Sequence, residues 1–134
     1  MISKSVHLPL SLEQSFELLT NEISLWWPAD RRHLNDPNSQ LFLQENARFY
    51  ERANNGTELD LGRVRVWHRP HRIVLDFFMG TDAAHPTEVE IRFVAENGGT
   101  RVSVEHRPQA SSADVWDKRA AIFERSWDSV LSSL

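Results

Sequence analysis

The stretch VWDKRAAIFERSWDSVLSSL (115–134) decides the fold. Its apolar residues Trp116, Ala120, Phe123, Trp127, Val130 or Leu131, and Leu134 step by three and four, while Asp117, Lys118, Glu124, Arg125 and Asp128 take the other positions. That spacing is the period of a long amphipathic α-helix. Its stripe carries three large rings, Trp116, Phe123 and Trp127, and needs a sheet to cover it.

Upstream the period is two. In TEVEIRFV (87–94), Val89, Ile91 and Phe93 share one face and Glu88, Glu90 and Arg92 the other. TRVSVEH (100–106) puts Val102 and Val104 on one face, with His106 in the same phase at the strand end. RVRVW (63–67) behind Gly62, RIVLDFFM (72–79), LFL (41–43) and ARFYE (47–51) read as further strands, and NNG (54–56) and ENGG (96–99) are hairpin turn signals. Short turns between successive strands imply an antiparallel meander. Before it, ISKSVHL (2–8) is a first strand ended by Pro9. SLEQSFELL (11–19) is a helix with Ser11 and Gln14 spaced as a capping box. Residues 22–27 are a second, very short helix stopped by Pro28. PADRRHLNDPNSQ (28–40) is a charged loop longer than most connections. The order is strand, two helices, about six strands and one long helix. It predicts an α+β domain over 1–134, in which a strongly curved antiparallel sheet of about six to seven strands wraps around the C-terminal helix and leaves room between them.

Composition narrows the function. A net charge of −4 argues against nucleic acid as partner, although basic residues cluster in DRRH (30–33) and WHRPHR (67–72). The chain has no cysteine, which removes disulfides, thiolate zinc sites and a Cys nucleophile and fits a reducing compartment. No apolar run has signal-peptide or membrane-spanning length, so a cytoplasmic protein without a membrane span is expected.

Several stretches together resemble the START-like (SRPBCC), or helix-grip, superfamily, and within it the family named for homologues of the activator of the 90-kDa heat-shock-protein ATPase. LPLSLEQSFELLT (8–20) is similar to that family's opening strand and helix, and WWP (26–28) to the tryptophan closing its second helix. GRVRVWHRPHRIVLDF (62–77) resembles its glycine-led hairpin, GGTRVSVEH (98–106) its Gly-Thr-Arg strand ending in histidine, and FERSWDSVLSSL (123–134) its terminal helix. The resemblance implies a helix-grip fold and a cavity between the sheet and the last helix, with a small apolar ligand as partner. Its walls would come from Trp116, Phe123 and Trp127 and from inward strand positions such as Phe49 and Phe77. Such a pocket is mostly apolar with a few polar groups that orient the ligand. The alternative is that these aromatics fill the space themselves.

His106 is the one candidate acid, base or hydrogen-bond donor facing inward, against the plainer reading of a ring satisfied by a backbone carbonyl. His68 and His71 flank a proline turn, a spacing that does not make zinc ligands converge, and no metal or cofactor is expected. Asp76, set among apolar neighbours, needs a partner such as Arg48 or Arg72 if it is buried, while Arg69 and Arg72 read as solvated turn residues. Adjacent helical residues differ by about 100°, so Trp26 and Trp27 cannot face the same way. One indole is expected in the domain and the other at a pocket entrance or a homodimer contact.

Three functional readings follow, in this order. The first is a domain that binds an apolar or mixed small molecule in the cavity. The second is a cyclase- or hydrolase-like enzyme using the same cavity with His106 and an arginine or acid. The third is a chaperone-ATPase-activator-like interaction module, which an exposed Trp26 or Trp27 would support.

Overall fold

Seven strands form one fully antiparallel sheet in the order β1-β7-β6-β5-β4-β3-β2 in the computed structural model, which describes residues 1–134. They are β1 (Ile2–Leu8), β2 (Gln40–Leu43), β3 (Arg48–Arg52), β4 (Glu58–His68), β5 (Arg72–Phe77), β6 (Thr87–Glu96) and β7 (Gly99–Pro108). The last six make a meander, and β1 closes it by pairing with β7, Ile2 opposite His106. Helices α1 (Leu12–Leu19) and α2 (Ile23–Trp26) lie between β1 and β2, and α3 (Ala113–Ser132) follows the sheet. This is the curved sheet around a long helix expected from the periodicity, and the helix-grip arrangement that the resemblance implies.

Local chemistry explains the element ends. Ser11 Oγ accepts from the Gln14 N–H at 3.1 Å while Gln14 Oε1 accepts from the Ser11 N–H at 3.0 Å, the reciprocal cap that starts α1. Pro28 stops α2, and the chain then makes a single 3-10 turn over Ala29–Arg31. Strand β5 ends at Phe77, two residues before the apolar run does.

Curvature comes from two bulges in β4. Phe49 pairs with Gly62 and Tyr50 with Asp60, leaving Leu61 over; Val64 pairs with Leu75 and Val66 with Val74, leaving Arg65 over. An extra residue bends its strand and increases twist, which rolls the sheet around α3. Gly62 is required at the first bulge, since a β-carbon there would lie 2.6 Å from the Asp76 carbonyl oxygen.

The concave face and α3 share one core. Phe16, Phe49, Ile73, Val89, Phe93 and Val102 are almost fully buried, and the stripe of α3 delivers Trp116, Phe123, Trp127, Val130 and Leu131 to the same cluster. Each such side chain contributes about 1.5–3 kcal/mol relative to exposure.

The outer face differs from the simple alternation of buried and solvated residues. Glu90, on the polar side of β6, is only 4% exposed because Arg72, Arg92 and Arg107 reach its carboxylate at 2.5, 2.8 and 3.0 Å. Arg72 is therefore an ion-pair partner rather than a solvated turn residue. Asp76 takes its partners from Arg65 and Gln109, both at 2.8 Å, and not from Arg48 or Arg72. The bulge brings Arg65 into range, which strand parity alone could not show. Burial alone would raise the Glu88 carboxyl, but Arg65 and Arg107 outweigh it and hold it below its usual range. Arg69 is tied to Glu13 and Glu17 at 3.0 and 2.9 Å, pinning the β4–β5 turn to α1.

Candidate functional site

The two adjacent tryptophans differ in burial but stay in contact, their rings 5.6 Å apart and tilted by 52°, because Trp27 is already extended backbone at the end of α2. Trp27 is 6% exposed, its ring packs on Phe49 and Trp127, and its indole N–H donates to the Arg31 carbonyl at 3.2 Å. Trp26 is half-buried, and its N–H donates to the Leu18 carbonyl of α1 at 2.8 Å. Neither indole stands in solvent; the exposed apolar side chain on this segment is Leu25, at 80%.

Behind Trp27 a pocket of about 190 Å³ opens between α3, the rim segment 27–33 and the start of the β5–β6 connection. Trp27, Phe77, Phe123 and Trp127 form its apolar wall, and Arg31, His33 and Ser126 bring polar atoms to its edge. Gly80 shapes the floor with a positive φ of 78°, and a β-carbon there would meet the Phe123 ring at 2.5 Å. A wider, open groove of about 600 Å³ shares His33, Met79 and Gly80 and runs past Asp60, Asp76 and Asp82. Its acidic, exposed lining suits water better than an apolar molecule.

The rim is held from below. Glu51 of β3, completely buried, accepts from the backbone N–H groups of His33 and Leu34 at 2.7 and 3.1 Å. The Arg32 guanidinium donates to the carbonyls of Ser39, Ser24 and Trp27 at 2.7, 2.6 and 3.0 Å, closing the loop on α2. These contacts give a 13-residue polar loop a defined shape at its start.

His106 lies outside this pocket, behind its aromatic wall. It is completely buried, with Phe123, Trp116 and Phe77 rings 4.5, 5.1 and 5.3 Å away. The Trp127 indole N–H donates to Nδ1 at 3.0 Å, so Nδ1 carries no proton. Nε2 then holds the proton and donates to Thr87 Oγ1 at 2.7 Å, and that hydroxyl donates onward to the Phe77 carbonyl at 3.3 Å. Burial first, and the N-terminal amine second, push the imidazole down from 6.5 to about 3. At neutral pH it is an uncharged ring with both nitrogens occupied, by a hydroxyl and an indole rather than a backbone carbonyl.

Of the residues singled out in the sequence, Trp27, Phe77, Phe123 and Trp127 meet at the pocket. Phe49 backs Trp27 and Phe77, Trp116 packs with His106 and Phe123, and Trp26 anchors α2. Arg31, His33, Met79 and Ser126 were not singled out, and the only signal for the first two was the unusual charge of 28–40.

Comparison with known proteins agrees with this architecture. Among solved structures, an anthrahydroquino-γ-pyrone synthase, Txn09, complexed with SUM is 26% identical, with 90% of this chain and 85% of that one covered at a TM-score of 0.55. A protein of Nitrosomonas europaea is 13% identical over 98% and 89% of the two chains at a TM-score of 0.65. The Aha1 dimer of Colwellia psychrerythraea is 15% identical over 98% and 90% at 0.60. The last two likenesses establish the fold alone. No curated protein sequence matches the chain. No helix is long and apolar enough to cross a membrane. The family model of the Activator of Hsp90 ATPase homolog 1-like proteins matches residues 9–134, and the chain belongs to that family.

Proposed function

We propose that this chain binds a small, mainly apolar molecule in the pocket between α3 and the rim segment 27–33. The observation that carries the reading is the meeting of four aromatic side chains around about 190 Å³ of open space, with polar groups supplied by the rim segment and by Ser126 of α3. An apolar cavity of roughly 150 Å³ accepts benzene, so this one takes a single ring or one end of a longer molecule. Family membership supports a ligand-binding role, and so does the likeness to Txn09, a protein complexed with SUM.

The test is a titration with toluene followed through the indole N–H resonances. Trp27 and Trp127 should shift saturably while Trp67, which packs on Phe16 of α1 in the same core and does not line the pocket, stays in place. Ser126→Phe, which fills the pocket from α3, should abolish the shifts. Unmoved Trp27 and Trp127 resonances in the wild-type protein would sink the idea.

The likeness to Txn09 also favours a second reading, a cyclase-like enzyme in the same pocket. Its acid or base would come from His33 at the rim, because His106 is neutral and fully hydrogen-bonded. Turnover unchanged in His33→Ala would remove that role.

A further inference from the structure

The strongest unexplained group in the molecule is the Arg31 guanidinium. Its neighbour Arg32 donates from both terminal nitrogens to three backbone carbonyls, although its Nε is also buried without an acceptor, and Arg65, Arg72 and Arg107 are paired with carboxylates on the outer face. Arg31 Nε is buried, yet it has no acceptor. Its backbone is fixed all the same: the Arg31 N–H donates to the Pro28 carbonyl at 3.1 Å, and its own carbonyl takes the Trp27 indole N–H. A buried donor without an acceptor destabilises the protein unless something else accepts from it. The residue that carries it lines the pocket with Trp27, Phe123 and Trp127.

Building on the pocket-binding reading above, we infer that the ligand is a small aryl or arylalkyl carboxylic acid, its ring against the aromatic wall and its carboxylate on Arg31. The charge at the rim supports this. Arg32 is committed to carbonyls, and His33 makes no side-chain ion pair. Asp30 is the one acid lining the pocket; it is solvent-exposed and forms no ion pair with Arg31. A guanidinium offers two parallel donors matched to the two oxygens of a carboxylate, a geometry that a neutral amide cannot satisfy on both sides. The volume limits the apolar part to about one ring.

Three ligands of nearly equal shape separate the terms: phenylacetate, phenylacetamide and toluene, each titrated by calorimetry and by the Trp27 and Trp127 indole resonances. In the wild-type protein the acid should bind at least about tenfold more tightly than the amide. Arg31→Met should erase the difference while leaving toluene binding in place, and Arg31→Lys should keep part of it. Equal affinities for acid and amide in the wild-type chain, with toluene still shifting both indoles, would overturn this inference and leave the pocket-binding reading intact. No shift with any of the three would overturn both. The wild-type comparison stands even if an Arg31 variant folds poorly.

Discussion

Two polar groups a few residues' packing apart show opposite designs. His106 sits behind the aromatic wall with both ring nitrogens engaged, in a chain of hydrogen bonds donated from Trp127 to His106, from His106 to Thr87 and from Thr87 to the Phe77 carbonyl. Arg31 sits in front of the same wall with a buried donor that nothing accepts. A buried polar group that is fully satisfied holds the architecture together; one that is left open at a pocket edge is available to a ligand. The wall that separates them, Phe77, Phe123 and Trp127, serves both sides.

The most severe way to break the comparison is to remove that wall. Phe123→Ala takes away a ring that touches His106 and Trp116 and lies against Gly80. It should cost about 3–5 kcal/mol in urea unfolding. A loss under about 1 kcal/mol would mean that the two regions do not depend on a common partition.

Acid tests the closed side. The folded protein keeps His106 neutral down to about 3, whereas the unfolded chain takes up a proton near 6.5. The unfolded state therefore binds more protons across that window, and stability falls as the pH drops from 6.5 towards 3. From pH 7 to pH 4 this one group should account for about 3 kcal/mol of lost stability. His106→Gln should flatten that part of the profile, whatever its effect at neutral pH. A profile of the same slope in the variant would assign the acid sensitivity to the carboxylates instead.

The smallest expected effect sharpens the open side. Arg31→Met removes no hydrogen bond or ion pair of the guanidinium, so unfolding in the absence of ligand should change by no more than about 0.5 kcal/mol. A larger loss would show that Arg31 supports the rim rather than waiting at it.

Much of the fold was legible because it rests on period. The alternation in 87–94 and 100–106 placed Val89, Ile91, Phe93, Val102 and Val104 on the buried face, and the three-and-four spacing of 116–131 picked out the helix side that meets them. The Ser11–Gln14 cap was readable because its two partners are three residues apart. The bulges at Leu61 and Arg65 left no such trace, and they decide that Asp76 meets Arg65. The partners of His106 lie 19 and 21 residues away on different elements, beyond the reach of local pattern. For the same reason the aromatic wall could be anticipated while the rim could not: a loop has no period, and Arg31 differs from Arg32 only in what surrounds it.

Glu51 has a consequence for how such a pocket can change. It grips the rim by the main-chain N–H groups of His33 and Leu34, which every residue except proline supplies. The Glu51 anchor is thus indifferent to the side chains at 33 and 34, while the Arg32 guanidinium remains necessary to close the loop on α2. Residues 31 and 33 can be exchanged while the anchor, the wall and the long helix stay as they are. The chemistry at the pocket edge and the contacts that hold the fold are written in separate places, which makes the rim a natural target for redesign.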